Sequence, residues 1–246
     1  MRGLPRRWLS CLLIAATAIS LACSSSNSAS PTALAGSKLS SKQTVEQSDT
    51  CAPEANPLAL VLPSLVRIST LPDATGSFSA GTGIIIDQGW VLTNQHVIQS
   101  ATDGIVRLNY GDGRQNPGKV IASDSDLDLA LVKSDTGDLP AVNWGDEGHL
   151  QQGAVLFAVG FPRGSSRPFP TQGRFVQTIV DRATGQAFIE SDVPLEHGDS
   201  GGPLLNRCGQ AIGINTARIQ GGASSQYAGL SIPGFGARRW ATRNRP

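Results

Sequence analysis

The sequence predicts an all-β protein of the sandwich or barrel class. Between residues 56 and 240 the chain consists of short apolar-rich stretches such as LVRIS, GTGIIID, GWVLTN and AVLFAVGF, with Gly, Pro, Asp or Asn between most of them. Short strands with turn residues between them are typical of sandwiches and barrels. Long segments with helical periodicity are absent, and helical turns are expected only at NQHVIQ and near GARRWA. A chain of 246 residues is long enough for one large domain or two small ones.

The N-terminal residues 1–22 have the layout of a secretory signal peptide. The basic start MRGLPRR is followed by the apolar run WLSCLLIAATAISLA, which ends in small residues. This run is shorter than the roughly 20 residues that a membrane-spanning helix needs. The sequence SLAC resembles a bacterial lipoprotein processing site, which would make Cys23 an acylated residue; ordinary cleavage after Ala22 is the alternative. Either reading predicts export from the cytoplasm, to the bacterial periplasm or cell envelope or to the medium.

A Ser-rich segment, residues 23–55, separates the signal from the predicted strands. It lacks apolar periodicity, and such a composition buries too little apolar surface to offset the entropy of ordering, so we expect a flexible tether. Two cysteines, Cys51 and Cys208, remain once Cys11 leaves with the signal and Cys23 is set aside. In an oxidising compartment they would form one disulfide; two separate thiols are the alternative.

Composition argues against several classes of ligand. Twenty basic residues against 19 acidic ones leave a net charge of +1, so nothing predicts a nucleic-acid partner. The sequence has neither a Cys/His cluster with zinc spacing nor a Gly-rich loop ending in Lys-Ser or Lys-Thr. We therefore expect no metal and no nucleotide cofactor. A membrane is expected as a partner only through a lipid on Cys23.

The stretch HGDSGGPLL places Ser200 between turn-forming residues just before an apolar run. A serine in a turn is ordinary, so a nucleophile needs a base, an orienting acid and oxyanion donors elsewhere in the chain. Of the three histidines, His197 is too close in sequence to reach the hydroxyl and His149 lies in a polar loop. His96 follows the predicted strand GWVLTN, with apolar neighbours that would hold it in place. It is the best candidate base.

The candidate orienting acids lie in SDSDLDLALV. Asp124, Asp126 and Asp128 have a spacing of two, which would place all three on one face of a strand, so spacing does not choose among them. Asp128 directly precedes the apolar LALV, where a carboxylate is shielded from water. The alternative is that all three are solvated turn residues.

Together these segments resemble the trypsin-fold serine proteases, and most closely the protease domain of the Deg/HtrA group. The resemblance runs through nearly all of residues 76–235 and rests on the ordered blocks GTGIIID, GWVLTNQHVI, DLDLALVK, FIESDVPLEHGDSGGPLLN, GQAIGINTA and YAGLSIP. It implies two six-stranded antiparallel β-barrels of the trypsin/chymotrypsin type, with the active site in the cleft between them. The boundary between the two barrels along the chain would fall near residues 143–153. The protease domain would span residues 56–240, with a basic tail at 241–246.

The resemblance also assigns roles to residues. It makes His96 the general base, Asp128 the orienting acid and Ser200 the nucleophile. The oxyanion hole would lie in the segment Gly198, Asp199 and Ser200, with the N–H groups of Gly198 and Ser200 as donors. One such donor is typically worth about 3–4 kcal/mol of transition-state stabilisation. Because no IVGG-like activation sequence is present, the Asp199 carboxylate must find another partner or stay solvated.

Three segments would form the walls of the specificity pocket: Pro194 to Asp199, Gly213 to Arg218 and Tyr227 to Ile232. The position six before Ser200 is a proline, so no acid is present there to bind Arg or Lys. A small or medium aliphatic substrate side chain is expected, contacted by a set of residues from these walls: Pro194, Ile214, Asn215, Thr216 and Leu230.

The sequence thus predicts an exported serine endopeptidase that acts on protein or peptide substrates in envelope protein quality control or processing. Two alternatives remain open: a catalytically silent trypsin-fold module that binds a peptide or envelope partner, and an exported esterase with the same triad. The chain ends eleven residues after Phe235, which leaves no room for the PDZ domains that follow the protease domain in most of the Deg/HtrA group. Oligomeric state is not predicted.

Overall fold

The computed structural model of the protein describes residues 56–72, 75–220 and 227–246. The predicted signal peptide and tether, together with Cys23 and Cys51, lie outside the described residues and stay predictions. Within the described part, the chain forms mostly strands. Their bounds are β1 (Leu65–Thr70), β2 (Ala80–Asp87), β3 (Trp90–Thr93), β4 (Ile105–Tyr110), β5 (Gln115–Asp124), β6 (Leu129–Lys133), β7 (Val155–Gly160), β8 (Phe169–Val180), β9 (Ala187–Ser191), β10 (Pro203–Leu205), β11 (Ala211–Gln220) and β12 (Tyr227–Pro233).

The strands close into two antiparallel barrels of six strands each, which confirms the predicted fold class. The first barrel has the order β1-β2-β3-β6-β5-β4 and is closed by pairing of β4 with β1. The second has the order β10-β11-β12-β9-β8-β7 and is closed by pairing of β7 with β10. The connection between β6 and β7 spans residues 134–154, and the predicted boundary at 143–153 falls within it.

Apolar side chains fill each barrel and the space between the barrels. Successive side chains on a strand point to opposite faces. A strand at the junction therefore has apolar residues on both faces, one toward the inside of its own barrel and one toward the other barrel. Leu131 and Val132 are adjacent on β6, yet both are fully buried: Val132 lies in the cluster inside the first barrel, and Leu131 in the cluster that joins the two barrels. The joining cluster includes Leu65, Ile84, Leu92, Leu129, Leu131, Val159, Leu205 and Ile214. The strands on both sides of the junction are therefore held in place by this apolar packing.

In the described ranges, three short α-helices accompany the barrels: α1 (Pro57–Val61), α2 (Gln95–Ile98) and α3 (Gly234–Arg243). In α3 the side chains of Ala237 and Ala241 are buried in the joining cluster, and Arg245 beyond it donates to Asp87 of β2 at 2.7 Å. The predicted division between a domain ending at 240 and a tail of 241–246 falls inside this helix and is not a structural boundary. Within the described residues, no helix has the length and apolarity to cross a membrane.

Candidate active site

His96 is held by the one-turn helix α2, which follows β3 directly. The strand ends at Thr93, Asn94 follows with an extended backbone, and the helix begins at Gln95. Val97 and Ile98 are buried and fix the helix against the first barrel, while the His96 side chain keeps 40% of its surface exposed. The imidazole is thus fixed in position but remains open to solvent and substrate.

Asp128 faces His96 from the turn between β5 and β6. The carboxylate lies 2.9 and 3.0 Å from the Nδ1 atom of His96 and also accepts the His96 backbone N–H at 3.0 Å. The Asn94 amide donates to the Asp128 carbonyl at 2.8 Å, which ties the two turns together. Bonding of a carboxylate to Nδ1 leaves the Nε2 atom of the ring as the proton acceptor for a nucleophile.

The hydroxyl of Thr216 provides a further partner for this carboxylate. Its Oγ1 donates to Oδ2 of Asp128 at 2.5 Å. Burial acts to raise the pKa of Asp128, but the hydrogen bonds from His96 and Thr216 outweigh it and hold the pKa below its ordinary value. Asp128 is therefore ionised at neutral pH, as an acid that stabilises an imidazolium must be.

The backbone explains why Asp128 and neither of the other two aspartates occupies this position. The three do not share a strand face, because β5 ends at Asp124 and residues 125–128 form a turn. Asp124 closes that turn by accepting the N–H groups of Asp126 and Leu127, both at 3.0 Å. Asp126 is exposed, and Asp128 has a left-handed backbone with φ of 52°. Asp adopts this region more readily than most residues.

Ser200 lies in a tight turn before β10, close to the first barrel. The N–H of Thr82 on β2 donates to the Ser200 carbonyl at 2.9 Å, and Gly201 N–H donates to the carbonyl of Asn215 at 2.8 Å. Gly201 has φ of 82°, and a Cβ there would collide with the Thr82 carbonyl. The Ser200 hydroxyl donates to the carbonyl of Thr216 at 3.3 Å, and no hydrogen bond joins it to His96 in the described residues.

Of the three predicted oxyanion-hole residues, two have a free backbone N–H within the described part of the chain. The N–H groups of Gly198 and Ser200 have no acceptor among the described residues, whereas Asp199 N–H donates to the Glu196 carbonyl at 3.0 Å. The Asp199 N–H, which was not among the predicted donors, is used within the turn. Gly198 has φ of 104°, and a Cβ there would collide with the Phe161 carbonyl.

The Asp199 side chain is neither solvated nor paired with a cation in the described residues. It is 3% exposed, and its Oδ2 accepts the Glu196 N–H at 2.9 Å. Its buried Oδ1 has no hydrogen-bond partner. Burial is the main cause that raises the pKa of this carboxyl from 3.8 to about 6.

A cleft of about 350 Å³ opens beside His96 and Ser200. Its described lining falls within two of the three predicted wall segments, 194–199 and 213–218, and comprises Leu195, Glu196, His197, Thr216, Ala217 and Arg218. Of the five predicted substrate-binding residues, only Thr216 is among them. The lining residues missed by sequence reasoning are neighbours in sequence of those that it chose.

The other predicted substrate-binding residues occupy different positions. Ile214 is fully buried in the joining cluster. Asn215 is also fully buried, donates to the Pro203 carbonyl at 3.0 Å and accepts from the Ser231 hydroxyl at 3.0 Å. Their prediction as substrate contacts is wrong, because both side chains are fully buried, that of Ile214 between the barrels and that of Asn215 in hydrogen bonds within the second barrel. Leu230 is buried, and Pro194 is exposed with its carbonyl bonded to Thr171.

The remaining candidates lie apart from this cleft. His149 is exposed and bonds to Asp146 at 2.9 Å. Cys208 takes part in a disulfide, but its predicted partner, Cys51, lies outside the described residues, so that pairing stays a prediction. Nowhere in the described ranges do three or more His, Cys, Asp or Glu side chains cluster as they would around a metal ion.

The fold is that of a two-barrel protein, with a cleft lined by His96 and Ser200. The family model described as "trypsin-like peptidase domain" matches residues 81–214, and the chain belongs to this family. Curated relatives named "probable periplasmic serine endoprotease DegP-like" include one from Chlamydia muridarum, 36% identical over 165 residues, and one from a Marinomonas species, 40% identical over 147 residues. These alignments cover 65% and 56% of this chain, and 32% and 29% of the relatives. The chain therefore spans about a third of their length.

Solved structures give the same assignment. The structure titled "HtrA-type protease AlgW with decapeptide" is 27% identical, with a TM-score of 0.68, over 77% of this chain and 66% of that one. A serine endoprotease from Yersinia pestis is 26% identical, with a TM-score of 0.65, over 76% of this chain and 65% of that one. The resemblance to the Deg/HtrA group inferred from sequence is confirmed.

Proposed function

We propose that this chain is an exported serine endopeptidase that hydrolyses peptide bonds through Ser200, His96 and Asp128. The observation that carries the proposal is the Asp128 carboxylate, which is bonded at once to the His96 ring, the His96 backbone and the Thr216 hydroxyl. A carboxylate held in this way fixes the tautomer and orientation of an imidazole, which is what a general base needs. A merely structural histidine does not require it.

The reaction begins with rotation of the Ser200 side chain from the Thr216 carbonyl toward Nε2 of His96. The hydroxyl then attacks the peptide carbonyl while His96 takes its proton, and the Asp128 carboxylate stabilises the imidazolium. The N–H groups of Gly198 and Ser200 stabilise the oxygen that becomes negative. His96 next gives the proton to the leaving amine. Water, activated by the same imidazole, hydrolyses the acyl-enzyme and restores Ser200.

Substrate class and location follow from the relatives and from the N-terminal sequence. The curated relatives are named as periplasmic, and the first of the similar structures holds a decapeptide. We therefore propose protein or peptide substrates, and a site of action in the bacterial periplasm or envelope, in protein quality control or processing. Export would use the predicted signal at residues 1–22, with Cys23 as the candidate lipid anchor.

One observation favours a second function, a catalytically silent module that binds peptides. The Ser200 hydroxyl bonds to the Thr216 carbonyl and makes no hydrogen bond to His96 in the described residues. A serine that stayed in this rotamer would not be activated, although the cleft would still accept a peptide.

Fluorophosphonate labelling of the purified mature protein, read by mass spectrometry, tests the proposal. We expect labelling at Ser200, abolished in Ser200→Ala and His96→Ala and unchanged in the matched control His149→Ala. Cleavage of a denatured protein substrate by the same preparation distinguishes a peptidase from an esterase. A folded protein that takes no label, with or without unfolded substrate present, would support the binding module and refute the enzyme.

A further inference from the structure

Arg163 has a backbone conformation that is unusual for its residue type. It lies in the turn Pro162–Gly164 after β7, with φ of 53°. A residue with a long side chain rarely occupies this left-handed region, and an observed backbone outlier of this kind is often found next to a functional site. The turn lies directly against the loop that carries the oxyanion donors, since a Cβ on Gly198 would collide with the Phe161 carbonyl.

The main chain of Arg163 fixes the peptide group that provides the first oxyanion donor. Its N–H donates to the carbonyl of His197 at 2.6 Å. This carbonyl and the N–H of Gly198 belong to one trans peptide group, so they point in opposite directions. The hydrogen bond to Arg163 therefore directs the Gly198 N–H away from the 162–164 turn. If this peptide rotated, the carbonyl oxygen would replace the donor.

The side chain of Arg163 holds the residue before that peptide. Its Nε donates to Oε2 of Glu196 at 2.7 Å, and its Nη2 donates to Oε1 at 3.1 Å. Two parallel bonds of this kind fix the relative orientation of the two groups as well as their distance. One residue thus contacts two consecutive positions, Glu196 and His197, directly before Gly198.

We propose that Arg163 is a positioning residue for the oxyanion hole, and that its ion pair with Glu196 keeps the His197–Gly198 peptide in the orientation that presents the Gly198 N–H. The inference rests on the proposed function. The Arg163 side chain is 80% exposed and that of Glu196 is 40% exposed, so the pair is weak and is screened by salt. A weak interaction still matters here, because it shifts an equilibrium between two orientations of one peptide group.

The expected effect is specific to the transition state. An oxyanion donor acts when charge develops on the carbonyl oxygen, so loss of the pair lowers kcat and leaves KM unchanged. For an exposed ion pair the expected decrease in kcat is about two- to fivefold. Added salt should reduce kcat of the wild type toward that of a variant without the pair.

The test compares Arg163→Gln, Glu196→Gln, the double variant and the exchange Arg163→Glu with Glu196→Arg. Arg163→Gln keeps the backbone N–H and removes the charge together with the two guanidinium donors to Glu196. Asp112→Asn is the matched control, because it breaks another exposed pair, with Arg114 at 2.6 Å, away from the cleft lining. The measurements are kcat and KM on a peptide ester at low and high salt, and hydrogen exchange of the loop 194–200 by mass spectrometry.

We expect Arg163→Gln to have a lower kcat and faster hydrogen exchange in the loop, and the double variant to show no further loss. The variant in which Arg163 and Glu196 are swapped should recover part of kcat, and the control should not change. The inference would be overturned if Arg163→Gln had the kcat and the loop hydrogen exchange of the wild type, or if the substitution changed KM alone. A wild type that is folded but turns over no substrate would refute the proposed function. In that case the hydrogen-exchange measurement would still decide whether Arg163 orders the loop 194–200.

Discussion

Thr216 and His96 bond to the same carboxylate from opposite barrels. The Thr216 hydroxyl comes from β11 of the second barrel, and the His96 imidazole from the helix after β3 of the first. Asp128 lies between them and accepts from both. The relative position of the barrels is therefore coupled to the orientation of the candidate base, and a group outside the triad takes part in fixing it.

Replacing Thr216 by Val should lower kcat/KM by about tenfold. The substitution keeps the shape but removes a hydrogen bond to a charged group, which is typically worth about 1.5–3 kcal/mol, part of which water would replace in this open cleft. The pKa of Asp128 should rise toward its ordinary value, because one of the bonds that lower it is lost. Ester hydrolysis and fluorophosphonate labelling rates measure the change. Thr242→Val, at an exposed helix position, serves as the control; equal rates in both variants would contradict the prediction.

The role of Thr216 shows where sequence reasoning ends. The TNQH, DLALV and GDSGGP blocks singled out His96, Asp128 and Ser200 as candidates. The strand pattern predicted a sandwich or barrel, and the resemblance to the trypsin-fold proteases predicted two barrels. The register of β11 was not predictable, because the pairing with β12 shifts between Asn215 and Ala217. Such a bulge redirects the side chains around it. As a result Asn215 is buried in the barrel, whereas Thr216 faces Asp128. The sequence analysis had predicted both residues as substrate contacts.

Asp199→Asn should stabilise the protein at neutral and higher pH. The folded-state pKa of about 6 lies above the ordinary value of 3.8, so the folded state binds this proton more tightly than the unfolded state does. The carboxyl therefore contributes stability below about pH 4, and this contribution is lost as pH rises through about 6. Asparagine is neutral at every pH and its side-chain oxygen still accepts the Glu196 N–H.

Urea unfolding at pH 4, 6 and 8 measures this effect. At pH 8 we expect the free energy of unfolding to rise by about 1–3 kcal/mol relative to wild type, with little difference at pH 4. The exposed Asp126, replaced by Asn, is the matched control for the loss of one carboxylate. An equal gain at all three pH values would mean that titration of Asp199 is not the cause.

Gly198→Ala should remove activity while leaving the barrels folded. Its φ of 104° and the collision of a Cβ with the Phe161 carbonyl force the loop to move. Loss of one oxyanion donor costs about 10²–10³ in kcat. Gly153→Ala is the control for backbone strain alone. Gly153 also has a positive φ, 85°, but a Cβ there meets no atom within 4 Å and so causes no collision. Circular dichroism checks folding and ester hydrolysis measures the loss. Comparable activity in the two variants would argue against a role for the Gly198 N–H.

Thr82 provides the last test, because it connects the first barrel to the oxyanion loop of the second. Its buried hydroxyl donates to the Gly198 carbonyl at 2.6 Å and accepts the Phe161 N–H at 3.1 Å. Thr82→Val leaves both backbone groups without a partner, and each such buried group costs about 1–3 kcal/mol. Thr82→Ser is the matched control, since it retains the hydroxyl.

We expect Thr82→Val to lower both the free energy of unfolding and kcat, and Thr82→Ser to recover most of each. Urea unfolding and ester hydrolysis on the same preparations measure the two effects. If the valine variant lost stability but kept the wild-type kcat, the hydroxyl would support only the packing of the barrels. If both variants lost kcat equally, the hydroxyl alone would not explain the position of the loop, because serine keeps the hydroxyl and lacks only the methyl group that lies near Gly202.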